Sequence, residues 1–211
     1  MTGVNRRDAL TVAALTGGLA LAAAPAAAAP KARKPTAAQQ IDMLVSRAEI
    51  EEVLYAYARG NDHGDDAMIR DCFWPESQHK HGRFEGSSSD FVGFAMKVGN
   101  TLKYSKHHIS NGSIRISGDR AFSECYYNAH HRRPDKAGPG EEDQWFEGRY
   151  IDLWERRGGT WKIISRRGTS DFNSPVTPAE APYSALPPGS HAERSKDDAY
   201  YTMLARFEAG K

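Results

Sequence analysis

The chain has 211 residues and a mass of 23.3 kDa, with 28 basic and 27 acidic side chains, a formal net charge of +1 and a pI near 7.8. This balance excludes the strongly basic surface with which nucleic-acid-binding proteins displace counterions from phosphates, so no nucleic-acid partner is expected. Hydrophobic residues make up 39% of the chain and charged residues 26%, which excludes a disordered or collagen-like chain and predicts one domain with a hydrophobic core.

Residues 1–30 have the composition of a signal peptide. Arg6 and Arg7 precede an apolar stretch from Leu10 to Ala24, and an Ala- and Pro-rich run with several A-x-A cleavage sites follows. The apolar stretch is shorter than the roughly 20 residues that a membrane-spanning helix needs, so we expect no membrane span. The paired arginines favour twin-arginine export to the periplasm or the exterior of a bacterial cell, with a general secretory leader as the alternative. Residues 31–36 are interpreted as a basic linker.

A long first helix is predicted from Ala37 onward, because apolar residues recur there at intervals of three and four. The apolar stripe consists of Ile50, Val53, Leu54, Tyr57 and Ala58. The same i+4 row continues to Asp62, so the helix places a carboxylate on its inward face if it persists through Gly60. A carboxylate on an apolar face is unusual and marks Asp62 as a candidate functional residue.

Beyond a second, short helix the hydrophobic period changes to the two-residue period of strands. The predicted elements are helices over residues 65–72 and 89–102 and strands over residues 78–84, 106–116, 120–132, 143–156 and 160–171. Residues 117–119 and 157–159 have the composition of hairpin turns, so the long strands should pair antiparallel. This order predicts an α+β fold, a cone-shaped cup in which a curled antiparallel sheet and the helices enclose a pocket.

The domain is predicted to span residues 37–173, and residues 174–211 form a Pro-rich tail with a helix over residues 197–207. Cys72 and Cys125 are spaced neither as a zinc knuckle nor as a C-x-x-C pair. We therefore expect two buried thiols, with a single disulfide as the alternative in an oxidising compartment.

Six strings of this domain form a recognisable set: residues 47–50, 57–62, 107–111, 118–121, 148–157 and 161–163. Together they resemble the SnoaL-like branch of the nuclear-transport-factor-2-like superfamily. The resemblance covers about residues 41–172 and implies the cup-shaped fold with a pocket for a small hydrophobic molecule. Because the superfamily contains dehydratases, a dehydrochlorinase, cyclases, isomerases and members that only bind ligands or proteins, the resemblance does not fix the reaction.

In the lyase members of this family, an aspartate at the end of the first helix holds a histidine of a facing strand, and that histidine removes a proton. The matching residues here are Asp62 and His107, the latter preferred over His108 because of its H-x-x-x-N spacing to Asn111. Strand alternation agrees, since it places His107 and Asn111 on one face and His108 on the other. An imidazole held by a carboxylate suits general base work near neutrality. The alternatives are a core histidine and a helix-capping aspartate.

The resemblance also assigns substrate-binding roles to Tyr57 and Arg166. The alternatives are a core tyrosine and a surface arginine, because Arg166 points inward only if the cup lies on its face of the strand or a bulge interrupts the alternation. Asn111 and His130 are expected to add polar contacts in the pocket. Asp152 occupies a position where the family often has aspartate, with a salt bridge to a neighbouring arginine as the alternative. The histidines match no compact metal motif, so no metal is expected. No organic cofactor is expected either.

The sequence thus predicts an exported lyase, most like a dehydratase, that acts on a hydrophobic cyclic molecule. His107 takes a proton from carbon, Asp62 orients the imidazole, and Tyr57 with Arg166 binds the departing or polarised oxygen. An isomerase or cyclase would use the same groups, and a non-catalytic binding protein is the alternative from another class.

A homodimer or homotrimer is also predicted. A curled sheet of this kind leaves part of its outer face apolar, and a second copy would cover it. The large residues assigned to that outer face are Tyr126, Tyr150 and Trp154.

Overall fold

The computed structural model describes residues 34–187 and 189–210. The predicted signal peptide and the first half of the predicted linker, residues 31–33, lie outside these residues. None of the helices in the described ranges is long and apolar enough to cross a membrane.

Four α-helices and seven strands follow one another in the described chain. They are α1 (Ala37–His63), α2 (Asp66–Asp71), β1 (Phe73–His81), β2 (Phe84–Ser87), α3 (Ser88–Gly99), β3 (Tyr104–Ser117), β4 (Arg120–Pro134), β5 (Glu141–Arg157), β6 (Thr160–Asn173), β7 (Thr177–Pro178) and α4 (Ala199–Glu208). A short 3-10 helix, Tyr183–Ala185, lies between β7 and α4. The predicted helices and long strands are confirmed to within a few residues. The strand predicted over residues 78–84 is misplaced, because Gly82 adopts a positive φ of 57° and turns the chain there between β1 and β2.

Helix α1 is bounded by strong capping signals. Thr36 and Gln39 form a capping box at its start, and Gly64 ends it in the left-handed conformation with φ 67°. The helix persists through Gly60, where a Cβ atom would come within 2.6 Å of Ile69 of α2. Glycine at this position lets α2 pack closely against α1. The helix continues beyond it to His63 and carries Asp62 in its last turn.

Strands β1 to β6 form an unclosed, curled sheet in the order β2-β1-β6-β5-β4-β3. The two-residue strand β7 pairs with β5. All pairs are antiparallel except β1 and β6, which run parallel. The α+β class with a mostly antiparallel sheet is confirmed, whereas a purely antiparallel sheet is not. Parallel neighbours need a long connection, and here all of the chain between β1 and β6 provides it.

The core lies between α1 and the concave face of the sheet. Its helical part includes Ile50 and Leu54, and its sheet part includes Tyr150 and Trp154, which are 2% and 1% exposed. The expectation that Tyr150 and Trp154 cover the outer face is therefore wrong. Both side chains occupy alternate positions of β5 that point inward. Tyr126 of β4, by contrast, is on the outer face and 44% exposed.

Cys72 and Cys125 are both free and buried. Burial raises the pKa of the Cys72 thiol to about 12 and that of the Cys125 thiol to about 11. Both thiols therefore stay protonated and unreactive near neutral pH, and the alternative of a disulfide between them does not hold.

Candidate active site

A cavity of about 330 Å³ lies between α1, α3 and the concave face of the sheet. Its wall is largely apolar, with Phe91, Phe94, Met96, Val98, Leu102 and Phe146. A cavity of this size and lining suits a small hydrophobic molecule, and a few polar groups in it would fix the orientation of that molecule.

Asp62 and His107 meet at this cavity. The Nδ1 atom of His107 lies 2.7 Å from Oδ1 of Asp62, and the backbone N–H of His107 donates to Oδ2 of the same carboxylate at 2.9 Å. The Ser105 hydroxyl donates to Oδ1 at 3.4 Å. Because the carboxylate accepts from Nδ1, it favours the tautomer in which Nε2 is the basic atom. The side chain of His107 is 11% exposed and lines the cavity.

Arg166 lies beneath the cavity rather than in its wall. Its guanidinium donates to both carboxylate oxygens of Asp152, at 2.8 and 2.7 Å, and both side chains are fully buried. The rings of Tyr57 and Tyr150 lie 4.2 and 4.3 Å from the guanidinium, and these two tyrosines line the cavity. The alternative of a salt bridge for Asp152 is therefore correct, and Arg166 does not line the cavity.

A bulge turns Arg166 inward. In the β5–β6 pairing Leu153 lies opposite Ser165 and Trp154 opposite Ile163, so one residue of β6 is unpaired. Alternation restarts after the bulge, which places Arg166 on the buried face.

Tyr57 lines the cavity from the inward face of α1. Burial raises the pKa of its phenol above the ordinary value, and the positive charge of Arg166 partly opposes this rise. The phenol is therefore neutral near pH 7 and able to donate a hydrogen bond to an oxygen in the cavity.

Two expected binding residues lie elsewhere. Asn111 is exposed, with φ 51°, at an irregularity of β3 where strict alternation breaks down. His130 points away from the cavity, where its Nε2 lies 2.8 Å from Asp143 and its ring stacks on Trp145 at 4.1 Å. Neither residue lines the cavity. Asn111 lies at the bulge of β3, and His130 alternates along β4 with the inward-facing Ala129 and His131, so it falls on the outer face.

Two histidines that sequence reasoning did not assign to the site line the cavity: His81 and His131. The His131 ring lies 5.7 Å from that of His107. Burial lowers the pKa of His81 to about 4 and that of His131 to about 3, so both are neutral near pH 7. Among the residues that the structure describes, no group of three or more His, Cys, Asp or Glu side chains is arranged to hold a metal ion.

The family model for the SnoaL-like domain matches residues 42–167. The chain belongs to the SnoaL-like family. No curated protein matches this SnoaL-like chain in sequence.

Solved structures similar to this SnoaL-like protein share its fold. A candidate scytalone dehydratase from Novosphingobium aromaticivorans DSM 12444 has 20% identity and a TM-score of 0.58, covering 70% of this chain and 99% of its own. The hexachlorocyclohexane dehydrochlorinase LinA type 3 from Novosphingobium barchaimii LL02 has 19% identity and a TM-score of 0.57, covering 71% and 99%. A nuclear-transport-factor-2-like protein from Salmonella enterica serovar Typhimurium LT2 has 20% identity and a TM-score of 0.53, covering 63% and 96%.

Proposed function

We propose that this SnoaL-like protein is a lyase, most like a dehydratase, which removes water from a hydrophobic cyclic small molecule without a cofactor. The observation that carries the proposal is the 2.7 Å contact between Asp62 and His107 at the edge of an apolar cavity. A carboxylate that fixes the tautomer of an imidazole makes that imidazole a competent general base.

The proposed step is a β-elimination. Nε2 of His107 takes a proton from the carbon next to a carbonyl group, the electrons of that C–H bond form a C=C bond, and a hydroxyl leaves the neighbouring carbon. The imidazolium then returns its proton to the departing hydroxyl, which leaves as water. The neutral phenol of Tyr57 donates to the carbonyl oxygen, and the charge of Arg166 behind it stabilises the negative charge that develops there.

The comparisons support an elimination over other reactions of this family. One of the similar structures is named a dehydratase and another a dehydrochlorinase, and both names denote removal of a small molecule across a carbon–carbon bond.

The test uses 3-hydroxy-1-tetralone, a cyclic β-hydroxyketone. Loss of water from this compound gives an enone that tautomerises to 1-naphthol, which is followed by its fluorescence. We expect the purified protein to form 1-naphthol faster than buffer, and the His107→Ala variant to match buffer. Incorporation of deuterium from D2O without naphthol would instead indicate an isomerase, and binding of the ketone with neither reaction would indicate a binding protein.

We propose that the protein is exported by the twin-arginine route, on the sequence of residues 1–30. In the bacterial host, the mature amino terminus is expected between Pro25 and Ala32, as determined by mass spectrometry of the periplasmic or secreted fraction. Changing Arg6 and Arg7 together to lysine should retain the protein in the cytoplasm. Unchanged export of that variant would contradict the twin-arginine route.

A second copy of the chain is proposed to cover the outer face of the sheet, giving a homodimer or homotrimer. Phe122 of β4 lies opposite Leu153 of β5 on this face, and Tyr126 lies on the same face of β4, four residues further along. Phe122, Leu153 and Tyr126 are 40%, 45% and 44% exposed. Light scattering at micromolar concentration should give a dimer or trimer mass, and Leu153→Glu should lower it by placing a charge in the apolar contact. A monomeric wild-type protein would contradict the proposal.

A further inference from the structure

The C-terminal segment, residues 189–210, lies outside the 42–167 range that the SnoaL-like family model matches. It nevertheless contributes one side chain, Arg194, to the cavity wall. The cavity of this protein is therefore completed by a part of the chain beyond the family domain.

Specific contacts hold this segment against the end of α1. The Tyr201 hydroxyl donates to Oδ2 of Asp65 at 2.7 Å, and the Lys196 ammonium group donates to the same oxygen. The His63 ring stacks on Tyr200 with the ring centres 4.9 Å apart. These contacts fix the segment beside the last turn of α1, which is the turn that carries Asp62.

Arg194 has an unusual set of partners for a guanidinium in a cavity wall. Its Nη1 donates to the backbone carbonyl of Asn61 and, at 3.1 Å, to that of Asp62. Within the described residues it makes no ion pair shorter than 4.0 Å. The other guanidinium in the wall, that of Arg133, is paired with Glu142 at 3.3 Å.

The surroundings of Arg194 favour an anionic ligand. Burial lowers the pKa of its guanidinium, and the charge of Asp62 only partly opposes this. Backbone carbonyls at a helix C-terminus carry partial charges and compensate a buried cation incompletely. At Gly99 of α3 a Cβ atom would come within 2.6 Å of Nη2, so this glycine leaves the space that the guanidinium occupies.

We propose that Arg194 forms an anion-binding subsite, and that the substrate is an apolar molecule carrying one acidic group such as a carboxylate. The inference rests on the proposed function in taking this cavity as the substrate site. Because Arg194 bonds to the backbone of Asp62, whose carboxylate holds His107, the acidic group binds beside the proposed base. The substrate is oriented by a charge at one end and by the apolar wall along its length.

Two fluorescent probes that differ in one charged group test the subsite. 1-Anilinonaphthalene-8-sulfonate carries a sulfonate, and N-phenyl-1-naphthylamine is the same molecule without it. In titrations of the full chain, Arg194→Gln should weaken binding of the sulfonate probe about tenfold, as expected for the loss of one charge-assisted contact, and leave the neutral probe nearly unchanged. Arg194→Lys should retain part of the affinity. Arg206→Gln, an exposed position on α4, is the matched control and should change neither.

Equal weakening of both probes by Arg194→Gln would overturn the proposal, because it would show that Arg194 only caps α1 and supports the cavity. No effect on either probe would overturn it as well. The probe titrations measure binding without turnover, which separates this inference from the proposed reaction. A wild-type protein that forms no 1-naphthol, but whose Arg194→Gln variant selectively loses affinity for the sulfonate probe, would overturn the reaction and support the subsite.

Discussion

Asp62→Asn and His107→Ala should each reduce turnover of 3-hydroxy-1-tetralone by about 10²- to 10⁴-fold, the usual contribution of a general base. An asparagine at position 62 can donate to Nδ1, which moves the imidazole proton to Nε2 and removes the lone pair that accepts the substrate proton. Since the two residues act as one unit, the double variant should be little slower than either single variant. Initial rates of naphthol formation measure all three.

His108→Ala is the matched control for these variants. His108 is the next residue along β3, lies on the opposite face and is exposed, so its removal should leave the rate within about twofold of wild type. Circular dichroism checks that each variant is folded. Independent, additive losses at Asp62 and His107 would contradict the paired mechanism, as would an Asp62→Asn variant with full activity.

Arg166→Leu should strongly destabilise the domain. The substitution leaves the carboxylate of Asp152 fully buried without its two hydrogen bonds to the guanidinium. Breaking a buried pair by removing one partner costs about 3 to 5 kcal/mol in the free energy of unfolding. Urea denaturation followed by tryptophan fluorescence measures it.

The adjacent residue supplies the control for this experiment. Arg167 is exposed, so Arg167→Leu should change the free energy of unfolding by less than about 0.5 kcal/mol. Replacing Arg166 and Asp152 together by leucine and asparagine should recover part of the loss, because no buried charge then lacks a partner. An Arg166→Leu variant as stable as Arg167→Leu would contradict the role assigned to the pair.

The elements of the fold were predictable because each depends on local sequence. Helical spacing along α1 and the two-residue period along β3 to β6 identify the elements, and the turns after β3 and β5 set antiparallel neighbours. The parallel pairing of β1 with β6 was not predictable in this way. It joins residues such as His79 and Arg166, and nothing in the local pattern of either strand specifies that neighbour.

The same distinction separates the expected site residues that lie at the cavity from those that do not. The turn at residues 117–120 sets a register that, if unbroken, would put His130 opposite His107. A one-residue bulge in β3 shifts the register, so His107 lies opposite Ala129 of the inward face of β4 and itself turns into the cavity. β4 has no bulge, so His131 shares this inward face and His130 does not. A single extra residue exchanges the faces of a strand, and its position depends on packing rather than on periodicity.

Arg194 illustrates a further limit of sequence reasoning. Its hydrogen bond to Asp62 joins residues 132 positions apart and depends on the docking of the C-terminal segment. The segment carries no periodic pattern that points to the cavity. Its anchors, Lys196 and Tyr201, meet Asp65 only in three dimensions.

The parallel pairing of β1 with β6 also constrains the order in which the domain folds. The hairpin of β1 and β2 joins the sheet only through β6, where His81 pairs with Gly168. The part of the cavity wall that contains His81 therefore cannot form until the chain has been synthesised past Gly168. Contacts this distant in sequence slow folding, because the entropy of closing a long loop is lost before the contact is gained. A nascent chain therefore carries β1 and β2 without their sheet partner until β6 has been synthesised, and a chain that ends before β6 would present an open strand edge to chaperones and proteases.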